Sequence, residues 1–383
     1  MKYILCRVPL VVLLLSLSGC GTVGYYAQAA WGQWSLLRAR VDVPQLLDDP
    51  TLPAATRQRL QVAWQIRDFA ASAMDLAPDA RYSTFVDLER PYVVWNVFVA
   101  PPFDLTAQTW CYPIVGCAPY RGYFREQAAR DFAAGYSSRG YDTHVGGVPA
   151  YSTLGWFDDP LLSTFIDWPD GDLADLLLHE LAHGRVWVNG DVTFNESFAS
   201  FVGQEGARRW MQTHGAAQAL TTWQQRRLVR RRLTQFLLNV KAQFQRGYAL
   251  AADGGVQGEV RKAELLAKMH ACYAAHRERL GGGRYDELVY RRVNNAYLVS
   301  VGTYADDVPA FAALFKREGE DWPRFFAAVE ALAELPDTER RAVVAALAGS
   351  AQDEVGADAD NDGTQQIDCE AFFGHGRDAE APG

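Results

Sequence analysis

Two histidines and a glutamate stand at a spacing that suits metal chemistry. His179 and His183 are four residues apart, and Glu180 directly follows the first of them. On a helix, positions i and i+4 lie on one face, so both imidazoles can bind a single Zn²⁺. Glu180 points about 100° away, from where it reaches a water on the metal without binding the metal. Zn²⁺ lowers the pKa of such a water towards about 7, and Glu180 can take its proton as general base.

A zinc centre that keeps an open position needs a third protein ligand. Glu196 comes thirteen residues after His183, where a second helix is predicted to begin. A carboxylate in the first turn of an adjacent antiparallel helix can reach the same metal. The connecting segment contains Asn189-Gly190-Asp191, which is typical of a reversing turn. Glu196 is therefore the predicted third ligand, and Glu205 on the same helix is the rival candidate.

The segment 194–201, Phe-Asn-Glu-Ser-Phe-Ala-Ser-Phe, resembles the Asn-Glu stretch of the gluzincin metallopeptidases, especially the zinc aminopeptidases. In that group this Glu is the third zinc ligand, which supports Glu196. Only twelve residues separate it from His183, fewer than in the group, so the resemblance carries no detail of the substrate pocket. In that group a glutamate binds the α-amino group of the substrate. The corresponding position here, 147–151, has no acid, so Asp158 and Asp159 are the nearby candidates for that role.

The chain also resembles a family of bacterial lipoproteins described as predicted aminopeptidases. The resemblance covers residues 20 to about 335 and rests on the zinc segments and on 24–28, 111–124, 147–160 and 294–297. It implies a peptide substrate and peptide-bond hydrolysis. By resemblance to a downstream tyrosine of related enzymes, Tyr304 is a candidate donor for the oxyanion. Tyr151 is the alternative, in an edge strand at 145–153 that could pair with a peptide substrate.

The surrounding elements indicate an α+β fold that is mostly helical, zincin-like, with a small edge-exposed sheet before the His179 helix. Residues 92–100 are β-branched and aromatic and predict a strand, and 143–153 predicts an edge strand because it contains two glycines and a proline. Helices are expected over 54–76 and then from Asp170 onward, including one helical stretch over 308–347. Asp175, four residues before His179, is a candidate hydrogen-bond partner for that ligand.

The N-terminus predicts export and a lipid anchor. Lys2 and Arg7 precede a ten-residue apolar run, too short to span a bilayer, which is typical of a secretory signal peptide over 1–19. The ending Leu17-Ser18-Gly19-Cys20 resembles the bacterial lipobox, which implies lipidation of Cys20 and contact with the membrane. With Gly21 next, the resemblance favours the periplasmic face of the outer membrane. Oxidising conditions there favour disulfides, with Cys111–Cys117 the first candidate and Cys272–Cys369 a second.

The chain of 383 residues has a net charge of −9, which argues against nucleic acid as a partner. Nine acids and one base fall in residues 351–383, which are expected to form a disordered acidic tail after a metallopeptidase domain over 20–350. The run Asp358-Ala-Asp360-Asn-Asp362-Gly363 matches half of a Ca²⁺ loop, but Cys369 stands where its bidentate Glu belongs. The basic cluster Arg226–Arg232 is either a solvated helix face or a contact for anionic headgroups. The oligomeric state stays open.

The predicted function is a membrane-anchored zinc metallopeptidase, in particular an aminopeptidase. Two alternatives share the same metal site. One is a non-catalytic lipoprotein whose zinc has a structural or partner-binding role, although such a site has no use for Glu180. The other is a zinc amidase that acts on cell-wall peptide and differs only in its substrate.

Overall fold

The computed structural model describes residues 8–112, 116–150, 158–215, 217–249, 255–301, 307–358 and 367–373. The helices are α1 (Val8–Arg38), α2 (Val43–Asp48), α3 (Ala54–Met74), α4 (Glu126–Ser137), α5 (Asp170–His183), α6 (Val192–His214), α7 (Ala217–Ala249), α8 (Val256–His276), a π-helical turn (Leu288–Arg292), α9 (Asn295–Ser300), α10 (Val308–Arg317), α11 (Trp322–Ala333), α12 (Asp337–Asp358) and α13 (Glu370–Phe373). The strands are β1 (Val41–Asp42), β2 (Thr84–Val86), β3 (Val94–Ala100), β4 (Trp110–Tyr112), β5 (Gly116–Ala118), β6 (Arg121–Tyr123), β7 (Asp142–Val148) and β8 (Leu161–Leu162).

The mostly helical α+β prediction is confirmed, since the fold is 63% helical and its sheets contain only two or three strands each. All the described strands precede α5. In the largest ladder β7 pairs antiparallel with β3 along its whole length, from Val94 opposite Val148 to Ala100 opposite Asp142. Because β3 lies between β6 and β7, the far side of β7 is a sheet edge within the described residues, as predicted.

Two hydrophobic cores dominate the molecule. The first, which we call the metal-bearing core, packs α5 and α6 against α3, the β1–β2–β8 sheet and α10 to α12. The second, the α7–α8 core, joins the C-terminal half of α7 to α8, α9 and residues 367–373. A smaller cluster covers β3 and β6 with α4. The metal-bearing core is rich in aromatic side chains, and Phe198 and Phe325 on facing helices are fully buried in it.

Close contact between α5 and α6 depends on a glycine. A Cβ atom at Gly203 would lie 2.6 Å from the carbonyl oxygen of Asp175 and 3.0 Å from Cβ of His179. Only a residue without a side chain therefore lets α6 approach the backbone of α5 at this level. The two helices pack directly against each other behind the His179 ligand position.

The expectation of one helical stretch over 308–347 is wrong. The chain forms α10, α11 and α12 there, separated by two short turns. At the first turn Gly319 and Glu320 take positive φ angles of 75° and 57°, and the side chain of Asp321 accepts from the backbone N–H of Arg324 to start α11. Pro336 precedes α12 and disfavours a helical conformation at the residue before it. These breaks let three short helices cover the metal-bearing core.

Residues 367–373, within the predicted acidic tail, pack against the rest of the molecule. Ile367 and Phe373 are buried in the α7–α8 core, and Cys369 forms a disulfide with Cys272 of α8. Buried apolar side chains and a covalent bond thus hold this segment although its neighbours in sequence are acidic. Residues 359–366 of the half-matched Ca²⁺ loop lie outside the described residues. Within the described part of the chain, no helix combines the length and apolar composition needed to cross a membrane.

Candidate metal centre

Three predicted ligands converge in the structure. Nε2 of His183 lies 3.2 Å from Nε2 of His179, and the carboxylate oxygens of Glu196 lie 3.4 Å from the first imidazole and 3.7 Å from the second. The donor atoms of this group all lie within 4.8 Å of one another. A tetrahedral Zn²⁺ with ligands at about 2 Å separates its donors by about 3.3 Å. The observed spacing therefore fits three ligands of a single ion.

The start of α6 positions Glu196 through a network that begins in the connecting turn. The side chain of Asp191 caps α6 by accepting from the N–H of Phe194 at 3.1 Å. Asn195, which is fully buried, donates to the carbonyl of Val188 and accepts from its N–H, both at 2.8 Å. The turn is thereby fixed immediately before Glu196.

A buried ion pair supports the same turn from the end of the metal-bearing core. Arg340 of α12 donates to Oδ2 of Asp191 from Nη2 at 2.8 Å and from Nε at 3.0 Å. Both side chains are less than one-tenth exposed. Removing one partner of such a pair leaves an uncompensated buried charge. Helix α12 is therefore tied to the first turn of the ligand helix α6.

The electrostatics differ from one member of the ligand set to the next. Burial by itself lowers the pKa of His179, but the contact with Glu196 and the nearby charges of Glu180 and Asp175 outweigh burial and raise it. Burial lowers the pKa of His183 to about 4, so this ligand is neutral at physiological pH. Burial alone would raise the pKa of Glu196, but the two imidazoles lower it, and Glu196 is ionised.

Glu180 has the environment of a general base. Its pKa is raised to about 7, mainly by burial, because the charges of Glu196 and Asp159 also raise it and offset the lowering by His179 and Arg81. Its Oε2 atom is buried and has no hydrogen-bond partner among the described residues. A buried, unpartnered carboxylate oxygen is costly to maintain in a site of purely structural role, since it loses its hydration without compensation. The position next to the ligand triad is instead suited to accepting a proton.

Asp159, one of the two predicted amine-binding candidates, lies beside Glu180 together with Tyr82, which the sequence did not single out. Tyr82 and Asp159 line a small cavity with Glu180, and Tyr82 is fully buried with a left-handed backbone φ of 57°. The N–H of Tyr82 donates to the carbonyl of Asp159 at 2.7 Å. From the other side, Nη1 of Arg81 contacts the carbonyls of Glu180 and Leu181 at 3.3 and 3.2 Å, at the negative end of the α5 dipole.

Other predicted residues fall in different places. Glu205, the rival ligand, is bound by Nε of Arg208 and of Arg209, each at 2.7 Å, and lies outside the triad. Asp175 makes no hydrogen bond to His179 among the described contacts; its Oδ2 lies 3.8 Å from Nε of Arg227. Nδ1 of His183 also lacks a partner in the described part of the chain.

Several further predictions concern positions outside the core of the site. Tyr151 and Tyr304 belong to 151–157 and 302–306, outside the described residues, whereas Asp158 is described and exposed. Asp307, the next described residue after the second gap, donates its N–H to Ser197 Oγ at 3.2 Å, one residue from Glu196. Cys111 and Cys117 form a disulfide across the β4–β5 hairpin.

An open cleft leads away from the triad along α5. It has a volume of about 590 Å³ and is lined by Trp168, Pro169, Asp172, Asp175, Leu176, His179, Glu180 and Arg230. On the opposite side of Glu180, Ala150 lines the small cavity that contains Tyr82 and Asp159. Ala150 follows the end of strand β7 by two residues. The end of this edge strand therefore lies near Glu180.

Comparison with known proteins identifies a family. No curated protein and no solved structure is significantly similar to the chain. The family model described as "Putative aminopeptidase" matches residues 24–344, which include both ligand helices, Arg340 and all of helix α7. Because the match covers most of the sequence, the chain belongs to this family.

Proposed function

We propose that the protein is a zinc metallopeptidase that removes residues from the amino end of peptides. The observation that carries the proposal is the convergence of three donor atoms, from His179, His183 and Glu196, within 4.8 Å of one another beside a buried Glu180. The donor set of two imidazoles and one carboxylate is the kind that catalytic Zn²⁺ takes in peptidases. Family membership supports peptide hydrolysis as the reaction.

The roles of the residues follow from their chemistry. When bound, Zn²⁺ would polarise the scissile carbonyl and make a water acidic enough to lose a proton near neutral pH. Glu180 takes that proton as general base and returns it to the departing amine as general acid. Its raised pKa, about 7, suits both transfers at neutral pH. Tyr304 is the proposed oxyanion donor, and Tyr151 with the edge of β7 the proposed contact for the substrate backbone.

We further propose that the enzyme is held at a membrane through a lipid on Cys20. The lipobox-like sequence Leu17-Ser18-Gly19-Cys20 supports this, as does the apolar run before it. Gly21 favours the periplasmic face of the outer membrane. Metabolic labelling with a radioactive fatty acid tests the anchor, since a Cys20→Ser variant should lose the label and leave the membrane fraction.

The mechanism is tested by replacing Glu180 with the isosteric Gln. The variant should bind one zinc per chain, measured by elemental analysis, but lose peptide hydrolysis by at least about 100-fold because no base remains. His183→Ala should lose the metal itself. A matched control is His270→Ala, a histidine that packs against Tyr290 away from the site. Undiminished hydrolysis by Glu180→Gln would overturn the mechanism, and full zinc occupancy without turnover in the wild type would favour a structural zinc.

The aminopeptidase specificity is tested with paired substrates. Zinc-loaded protein is incubated with peptides that have a free amino end and with the same peptides acetylated at that end. We expect cleavage confined to the free peptides, with single residues released from the amino end. Equal cleavage of both sets would show an endopeptidase instead.

A further inference from the structure

The cleft beside the metal centre follows one face of α5. Its lining residues Asp172, Asp175, Leu176, His179 and Glu180 recur three and four positions apart, so they form a continuous stripe from the first helical turn to the ligands. Trp168 and Pro169 close the far end. A substrate that leaves the metal centre by this route therefore lies along α5.

The length of the stripe limits the size of that substrate. Seven residues separate Asp172 from His179, which is about 10 Å along the helix axis. An extended peptide advances about 3.3 Å per residue. About three residues therefore fit between the metal ligands and the first turn of α5.

The far end of the cleft carries an excess of positive charge. Arg230 donates from Nη2 to Oδ1 of Asp172 at 2.8 Å, and Arg226 donates from Nη2 to Oδ2 of the same carboxylate at 3.0 Å. Asp175 lies beside Arg227. Three guanidinium groups thus pair with two carboxylates, and of these arginines Arg230 lines the cleft. Arg230 uses only Nη2 in this described contact, and its side chain is 48% exposed. Its remaining N–H groups can bind a carboxylate in the cleft.

We propose that Arg230 binds the C-terminal carboxylate of the substrate, so that the enzyme prefers peptides of three to four residues with a free carboxyl end. This specificity rests on the proposed peptidase function. An amino end is not favoured at this position, because both acids are paired with arginines and the local charge is positive. The C-terminal carboxylate of the substrate instead balances the remaining positive charge of the three arginines. Asp172 holds the Arg230 guanidinium in place to receive it.

The test compares free-acid peptides of two to six residues with the same peptides amidated at the carboxyl end. For zinc-loaded wild-type protein, kcat/KM should be highest at three to four residues and at least about tenfold higher for the acid than for the amide, as a charge-assisted hydrogen bond predicts. In Arg230→Ala the acid-to-amide ratio should fall to about 1, and Arg230→Lys should keep part of it. Arg231→Ala, an exposed neighbour on the same helix, is the control and should keep the ratio.

Equal kcat/KM for acids and amides in the wild type would overturn the proposal. So would an Arg230→Ala variant that loses activity on both alike, or an Arg231→Ala variant with the same loss of preference. If the wild type cleaves no peptide, the proposed function fails, but the carboxylate site can still be tested by calorimetry on zinc-loaded Glu180→Gln. There, tighter binding of a tripeptide acid than of its amide supports the site, and equal binding overturns it.

Discussion

At the scale of single residues, the protonation of the proposed metal ligands should govern zinc affinity. A histidine must be neutral to bind zinc, so any proton it holds is released on binding. The pKa of His179 is raised, whereas that of His183 is lowered to about 4. Zinc affinity should therefore be full above the raised pKa of His179 and fall as the pH decreases through it. His183 should release no proton above about pH 5.

The number of released protons can be counted. In Glu180→Gln, the logarithm of the zinc dissociation constant should rise by about one per pH unit below the pKa of His179. In the wild type the slope should be steeper below about pH 7, because zinc also repels the proton that Glu180 carries there. Competition with a chelator between pH 5 and 8 measures both slopes. Equal slopes in the two proteins would contradict the assigned protonation of Glu180.

At the scale of secondary-structure elements, the distance between α5 and α6 controls the metal centre. In Gly203→Ala the added Cβ would collide with the carbonyl oxygen of Asp175, so the helices must separate. Overpacking of this kind costs about 1–3 kcal/mol of unfolding free energy. Because Glu196 lies two turns earlier on α6, the shift should also lower zinc affinity at least about tenfold.

Gly135→Ala in α4 is the matched control for this prediction. Its Cβ would meet no atom within 4 Å, so the variant should be as stable as the wild type or gain up to about 1 kcal/mol from helix propensity. Denaturant titration gives the stability, and chelator competition gives the zinc affinity. A Gly203→Ala protein with wild-type zinc affinity would show that the helix spacing does not set the ligand geometry.

At the scale of the whole molecule, stability and metal binding should be separable. The Cys272–Cys369 disulfide closes a loop of 97 residues and lies in the α7–α8 core, whereas all three metal ligands belong to elements of the metal-bearing core. Cys369→Ser should lower the free energy of unfolding by about 2–5 kcal/mol, measured by denaturant titration, while zinc affinity stays within about twofold of the wild type.

Cys117→Ser provides the comparison, since the Cys111–Cys117 bond spans only six residues and should contribute about 2 kcal/mol in the same chain-entropy treatment. Loss of zinc binding on breaking the Cys272–Cys369 bond would show that the two cores are thermodynamically coupled. If Cys369→Ser lowered the free energy of unfolding no more than Cys117→Ser does, this would contradict the expectation that the longer loop gives the larger stabilisation.

The amino-acid sequence by itself determined the local features of this protein. Helical spacing alone places His179 and His183 on one face, and the β-branched run at 92–100 alone predicts strand β3. These features depend on residues a few positions apart, so periodicity and composition suffice to predict them.

Only the tertiary structure decided which distant groups meet. It brings Glu196 and not Glu205 to the histidines, places Tyr82 and Asp159 behind Glu180, ties Arg340 to Asp191, and sets Arg230 across the cleft from α5. It also buries Ile367, Cys369 and Phe373 although the surrounding sequence is acidic. The Arg230–Asp172 contact joins residues 58 positions apart, and the Arg340–Asp191 contact joins residues 149 positions apart. They depend on how the helices pack, which no local pattern of residues encodes.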